Sequence, residues 1–137
     1  MLESADPLAT FRAQCDTIEE AYEFFLAYAS QGLPADHAGA SGEQARDYLQ
    51  RCDRALGGLA ESLTAAAGGL SVDAAPYQAF IAVIERDARD AQAAVRLVIA
   101  QPHIGSGIVD NLNASIHLRA LLTDLFLIDE ALKSRGN

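Results

Sequence analysis

Apolar residues recur through most of this chain at alternating steps of three and four. In the first stretch they fall at Leu8, Phe11, Cys15, Ile18, Tyr22, Phe25 and Ala29. That spacing lines one side of a helix, and a strand with period two cannot produce it. Ala45, Leu49, Cys52, Leu56, Leu59, Leu63 and Ala66 repeat the pattern, as do Tyr77, Ile81, Ile84, Ala88, Ala91, Val95 and Val98. Breaks rich in Gly, Pro and Ser separate the stretches: Gly32 to Ala40, Gly68 to Ser71, and Pro102 to Gly107. The pattern predicts helices over residues 7–31, 42–67, 73–101 and 107–133 of a single domain. Short connections between such rods imply an all-α, antiparallel up-down-up-down four-helix bundle.

Local signals sharpen the boundaries. Asp6-Pro7 is a capping residue followed by proline at the first helical position, where a missing N–H costs nothing. Ser41-Gly42-Glu43-Gln44 reads as a capping box opening the second helix, and Gly68-Gly69 as its left-handed stop. Gly57-Gly58 inside that helix costs about 1 kcal/mol per glycine, so it marks a bend or a close helix contact. Ser71 or Asp73 caps the third helix, with Pro76 tolerated in its first turn, and Pro102 ends it. Glu85 with Arg89 and Arg86 with Asp90 are spaced for ion pairs along its outer face.

The last segment does not fit one straight rod. Ile108, Val109, Leu112 and Ile116 share one side, while Leu118, Leu121, Leu122, Leu125, Ile128 and Leu132 lie on roughly the other, with Phe126 and Leu127 flanking the first. Either the helix is interrupted near Asn113 to His117, or one stripe packs against a second chain. The second option makes the six residues from Leu118 to Leu132 an interface, with a dimer the favoured assembly.

Composition agrees with helix: 27 Ala and 17 Leu stand against only 4 Tyr, 5 Phe and no Trp. The net charge of −9 argues against sequence-independent binding to nucleic acid or an anionic membrane. Residues 1 to 31 hold Glu3, Asp6, Asp16, Glu19, Glu20 and Glu23 against Arg12 alone. The four acids from Asp16 to Glu23 lie off the apolar seam, as a solvated face or a docking surface for a basic partner. The first residues show no secretory pattern and no stretch is apolar enough to span a membrane, so a cytoplasmic protein with reduced thiols is expected. Cys15 and Cys52 sit on seams, as buried small hydrophobes, at an offset too long for a disulfide.

Common catalytic signatures are absent. No His follows a carboxylate by three residues, as di-iron bundles need, and no zinc spacing, phosphate-binding glycine loop or nucleophile elbow occurs. No metal and no cofactor are expected, and no catalytic residue is assigned. In the predicted topology the first and third loops share one end, which makes His37 and His103 possible neighbours beside Gly105-Ser106-Gly107. That turn precedes a helix, so it is a candidate anion or carboxylate site, with Ser106 as an ordinary helix cap the plainer alternative. His117 lines up with Asp110 and Asp124 if the last helix is continuous. A lone helical His in a small acidic bundle resembles a histidine phosphotransfer domain. Such domains present His-x-Leu-Lys-Gly, whereas this chain reads His117-Leu118-Arg119-Ala120, without the glycine and with leucine one place early.

Three functions follow in order. The first is a non-enzymatic interaction or regulatory module that self-associates through its last helix and presents an acidic face. The second is a sensor-like bundle binding a small molecule or anion, at the histidine loop end or in a pocket of Tyr22, Tyr28, Tyr48 and Tyr77. The third is phosphotransfer or another catalytic role for His117.

Overall fold

Asp6 opens the first helix as its type and position require: its carboxylate accepts a 3.1 Å bond from the Leu8 N–H, with Pro7 next in line. The computed structural model describes residues 6–69 and 74–136. These form five helices and, among the described residues, no strand: α1 (Pro7–Ala29), α2 (Gly39–Gly68), α3 (Ala74–Ile99), α4 (Ser106–Ala114) and α5 (His117–Gly136). A single 3-10 turn, Ala35–His37, lies between α1 and α2.

The three seams are the core. Phe11, Ile18 and Phe25 of α1, all seven seam residues of α2, and Ile84, Ala88, Ala91, Val95 and Val98 of α3 are buried. Tyr77 and Ile81 pack against them from the less enclosed start of α3. The paired glycines of α2 mark close contact on two sides. A Cβ at Gly57 would lie 3.1 Å from Gln92 Nε2 of α3, and one at Gly58 2.7 Å from Gln14 Nε2 of α1. Next to them Gln92 and Arg96 both donate to Asp53, each at 2.9 Å, tying α3 to α2.

Two boundary signals resolve differently. α2 begins three residues early, at Gly39, whose φ of +54° suits glycine, and Ala38 caps it without a side-chain bond. Ser41 therefore lies inside the first turn, with its N–H on the Ala38 carbonyl, and the capping box does not form. At the other end Gly69 is right-handed, with φ −86°, rather than a left-handed stop. The proposed caps Ser71 and Asp73 fall outside the described residues. Arg89 pairs with Glu85 at 2.7 Å, but no ion pair joins Arg86 to Asp90.

The last predicted helix is two helices, so the interruption, not a second chain, accommodates its two stripes. Ile116 has φ +62°, a left-handed conformation that a β-branched residue adopts only under strain. The Ser115 hydroxyl and N–H turn back onto the carbonyls that end α4, and the Ile116 carbonyl accepts the Ala120 N–H that starts α5. The change of direction lets Val109 and Leu112 face the core from α4 while Leu118, Leu121, Leu122, Leu125, Ile128 and Leu132 face it from α5. None of these six is more than 5% exposed in the single chain. The stripe assigned to an interface is interior, and Ile116, from the other stripe, is left outside.

Two hydrogen-bonded contacts join the start of one helix to the end of another. Arg46 at the start of α2 reaches the end of α3, and the Tyr77 hydroxyl at the start of α3 bonds the Ala131 carbonyl of α5 at 3.3 Å. α1 packs along α2 and α2 along α3, with α5 against α3 and α4 against α1; the contact of α1 with α5 is much slighter. No described helix is long and apolar enough to cross a membrane.

Candidate functional site

Two places collect polar residues: the loop end between α1, α2, α3 and α4, and the seam between α1 and α5. The loop end is a closed knot. Ser106 is 2% exposed; its hydroxyl accepts the Leu33 N–H at 2.9 Å and donates to the Tyr28 carbonyl at 2.7 Å. Its own N–H donates to the Leu33 carbonyl at 2.8 Å. The Tyr28 hydroxyl, buried, donates to the Ile104 carbonyl at 2.7 Å. At Gly105 the chains run so close that a Cβ would stand 2.6 Å from the Ala35 nitrogen and 2.7 Å from the Leu33 carbonyl oxygen. The Arg46 guanidinium closes the other side, donating to the carbonyls of Ile99 at 2.6 Å and Gln101 at 2.8 Å. The Ile99 carbonyl ends α3 and the Gln101 carbonyl lies just past it, so a cation there satisfies both hydrogen bonding and the helix dipole.

Those bonds bear directly on the candidate anion site. Ser106 neither caps α4, whose capping residue is Gly105, nor points to solvent; its hydroxyl is spent in the interior. His37 is exposed and bonded to its neighbour Asp36 at 3.1 Å. His103 is exposed on a hollow that it shares with Ala38, Glu43 and Arg46, and His37 does not line that hollow. His117 is exposed, but as the first residue of α5 rather than in mid-helix. The break at Ser115 and Ile116 also removes Asp110, on α4, from any common line with His117 and Asp124. The four tyrosines do not share a pocket. Tyr28 and Tyr48 stack on Phe24, at 5.6 and 4.2 Å, while Tyr77 bonds the far end of α5. Tyr22 faces the α1–α5 seam.

That seam is open. Two hollows, of about 280 and 160 Å³, follow one another along it and share Glu19 and Phe126 as walls, so they form one trough. Its floor is apolar: Cys15 and Tyr22 from α1, Leu122 and Leu125 from α5. Phe126 stands beside it with 57% of its surface in solvent. At the end near Lys133, Asp129 accepts from Arg12 and pairs with Lys133, each at 3.3 Å. Asp16, Glu19, Glu20 and Glu23 of α1 have no ion pair among the described residues. The Glu19 carboxyl is pushed up from its ordinary value by partial burial and by the charges of Asp16, Glu23 and Asp129. Arg12, Arg119 and Lys133 line the same trough, yet none pairs with the acid row among the described residues, and the charges acting on Glu19 are like charges.

Burial pushes the thiols of Cys15 and Cys52 up to about 12, with nearby carboxylates adding to it, so neither forms a nucleophilic thiolate. Both are free. Across the α3–α5 seam Asp124 faces Asp87, and burial, then a side-chain hydrogen bond and the charge of Asp87, raise Asp124 to about 7. Helical periodicity aligns Asp124 with His117 and gives Asp87 no place, because the pairing joins two helices. Among the described residues no three of His, Cys, Asp or Glu converge as metal ligands. No protein-family model, curated protein or solved structure matches the chain.

Proposed function

We propose that this chain is a non-enzymatic docking module that takes a basic, amphipathic helical segment of a partner protein into the α1–α5 trough. One observation carries the reading: three carboxylates without an ion pair, Asp16, Glu19 and Glu23, line a trough with an apolar floor and a half-exposed Phe126. An incoming helix with Lys or Arg on one face would relieve the acid row, and its apolar face would cover Phe126 and Tyr22. The frame in this reading is an antiparallel up-down bundle whose last rod is α4 plus α5. Self-association through Leu118 to Leu132 drops out, because that stripe has no exposed surface to offer.

The test is fluorescence anisotropy with a labelled amphipathic peptide of Leu and Lys. Binding at low salt that weakens as salt rises, and that fails for the same peptide with Glu in place of Lys, is the expected result. The variant carrying Glu19→Lys, Glu20→Lys and Glu23→Lys should stay folded, since none of these side chains holds an ion pair, and should lose the peptide. Absence of binding by the parent, or equal binding by the variant, overturns the reading.

A further inference from the structure

We propose that Asp87 of α3 and Asp124 of α5 share one proton, and that this proton is a latch holding α5 onto α3. The inference is independent of the docking reading and starts from an enclosed atom. Asp124 Oδ2 is shut off from solvent and has no hydrogen-bond donor. A charged carboxylate oxygen in that position has lost its water and gained nothing in return. What faces it is a second carboxyl group, also an acceptor when ionised. Two ionised acceptors repel; one proton between them converts the contact into an O–H···O⁻ hydrogen bond, among the stronger kinds available to side chains.

The surroundings leave the pair no other way to settle. On α5 the residues one turn from Asp124 are Ala120, Leu121, Leu127 and Ile128, none of which carries charge. On α3 the cations nearest Asp87 in sequence, Arg86 and Arg89, are exposed, and Arg89 is held by Glu85 at 2.7 Å. Asp90, one turn on, is exposed and acidic. Asp87 is the charged group that acts on Asp124, with nothing contributed by α1 or α4 among the described residues. With no cation acting on Asp124 among the described residues, a proton is the smallest counter-charge that fits.

The sign of the effect follows. The folded chain keeps a proton that the unfolded chain has already released, throughout the interval from the ordinary Asp range up to about 7. Stability therefore falls as pH rises through that interval, and above it α5 is held against a like-charge contact. The latch is closed in mildly acidic solution and open in alkaline solution.

The experiment is a carboxyl-carbon NMR titration of Asp124, with backbone amide protection factors of α5 read over the same pH range. In the parent, Asp124 should titrate near neutrality, and α5 protection should drop as it does. Asp124→Asn, which keeps the neutral shape, should hold α5 protection flat with pH. Asp87→Asn should return Asp124 toward the ordinary carboxylate range. An ordinary titration of Asp124 in the parent overturns the proposal. So does an α5 protection profile that keeps its pH dependence in Asp124→Asn.

Discussion

The two flanks of α1 meet the molecule in opposite ways. Its C-terminal end is locked into the loop knot by paired polar groups: Tyr28 with Ile104, Ser106 with both Leu33 and Tyr28, Arg46 with the end of α3. Its flank toward α5 is barely packed, with hollows where side chains would interlock and carboxylates that form no ion pair among the described residues. Both regions descend from one apolar seam. Polar residues placed where backbones converge are consumed by structure, whereas polar residues beside an underfilled seam stay available. The docking surface proposed here accordingly lies at the poorly packed flank and not at the serine and histidines of the loop end.

The largest expected effect separates core from surface. Leu121→Asp buries a charge at a position with no exposure and should cost more than about 4 kcal/mol, enough to unfold most chains of this size. Loss of the helical circular dichroism signal reads this directly; a folded, soluble Leu121→Asp monomer would return the stripe to an interface role. Next comes Gly105→Ala, whose new methyl would press on backbone of Leu33 and Ala35 that cannot swing aside. A loss of about 3 kcal/mol is expected, seen as a lower urea midpoint with unchanged slope. Ile116→Gly should act in the other direction, gaining about 1 kcal/mol by removing the side chain from a left-handed residue. Phe126→Ser, at an exposed site, should change stability by less than about 0.5 kcal/mol while weakening the Leu/Lys peptide in the anisotropy assay.

What could be read from residues alone follows from what periodicity encodes. Seam spacing reports which side of a helix is buried, so the burial of Leu49, Cys52, Leu59 and Val95 is legible without coordinates. Two conflicting stripes could not fit one rod, so a break near Asn113 to His117 was visible, although its alternative, an interface, was equally open. Contacts between helices leave no such trace. Nothing around Arg46 says that it will cap α3, because that depends on two helix ends meeting. The Asp87–Asp124 pairing and the backbone approach at Gly105 are equally silent. The capping box at Ser41 failed for a related reason: Gly39, able to adopt positive φ, let the helix start one turn sooner.

The contrast between the two flanks is tested most directly by mapping amide chemical shifts as the Leu/Lys peptide is added at low salt. Changes concentrated at Asp16, Glu19, Tyr22, Glu23, Leu122 and Phe126, with Leu33, Gly105 and Ser106 unmoved, are what the account predicts. Shifts centred on the loop end, or spread evenly over the helices, would contradict it.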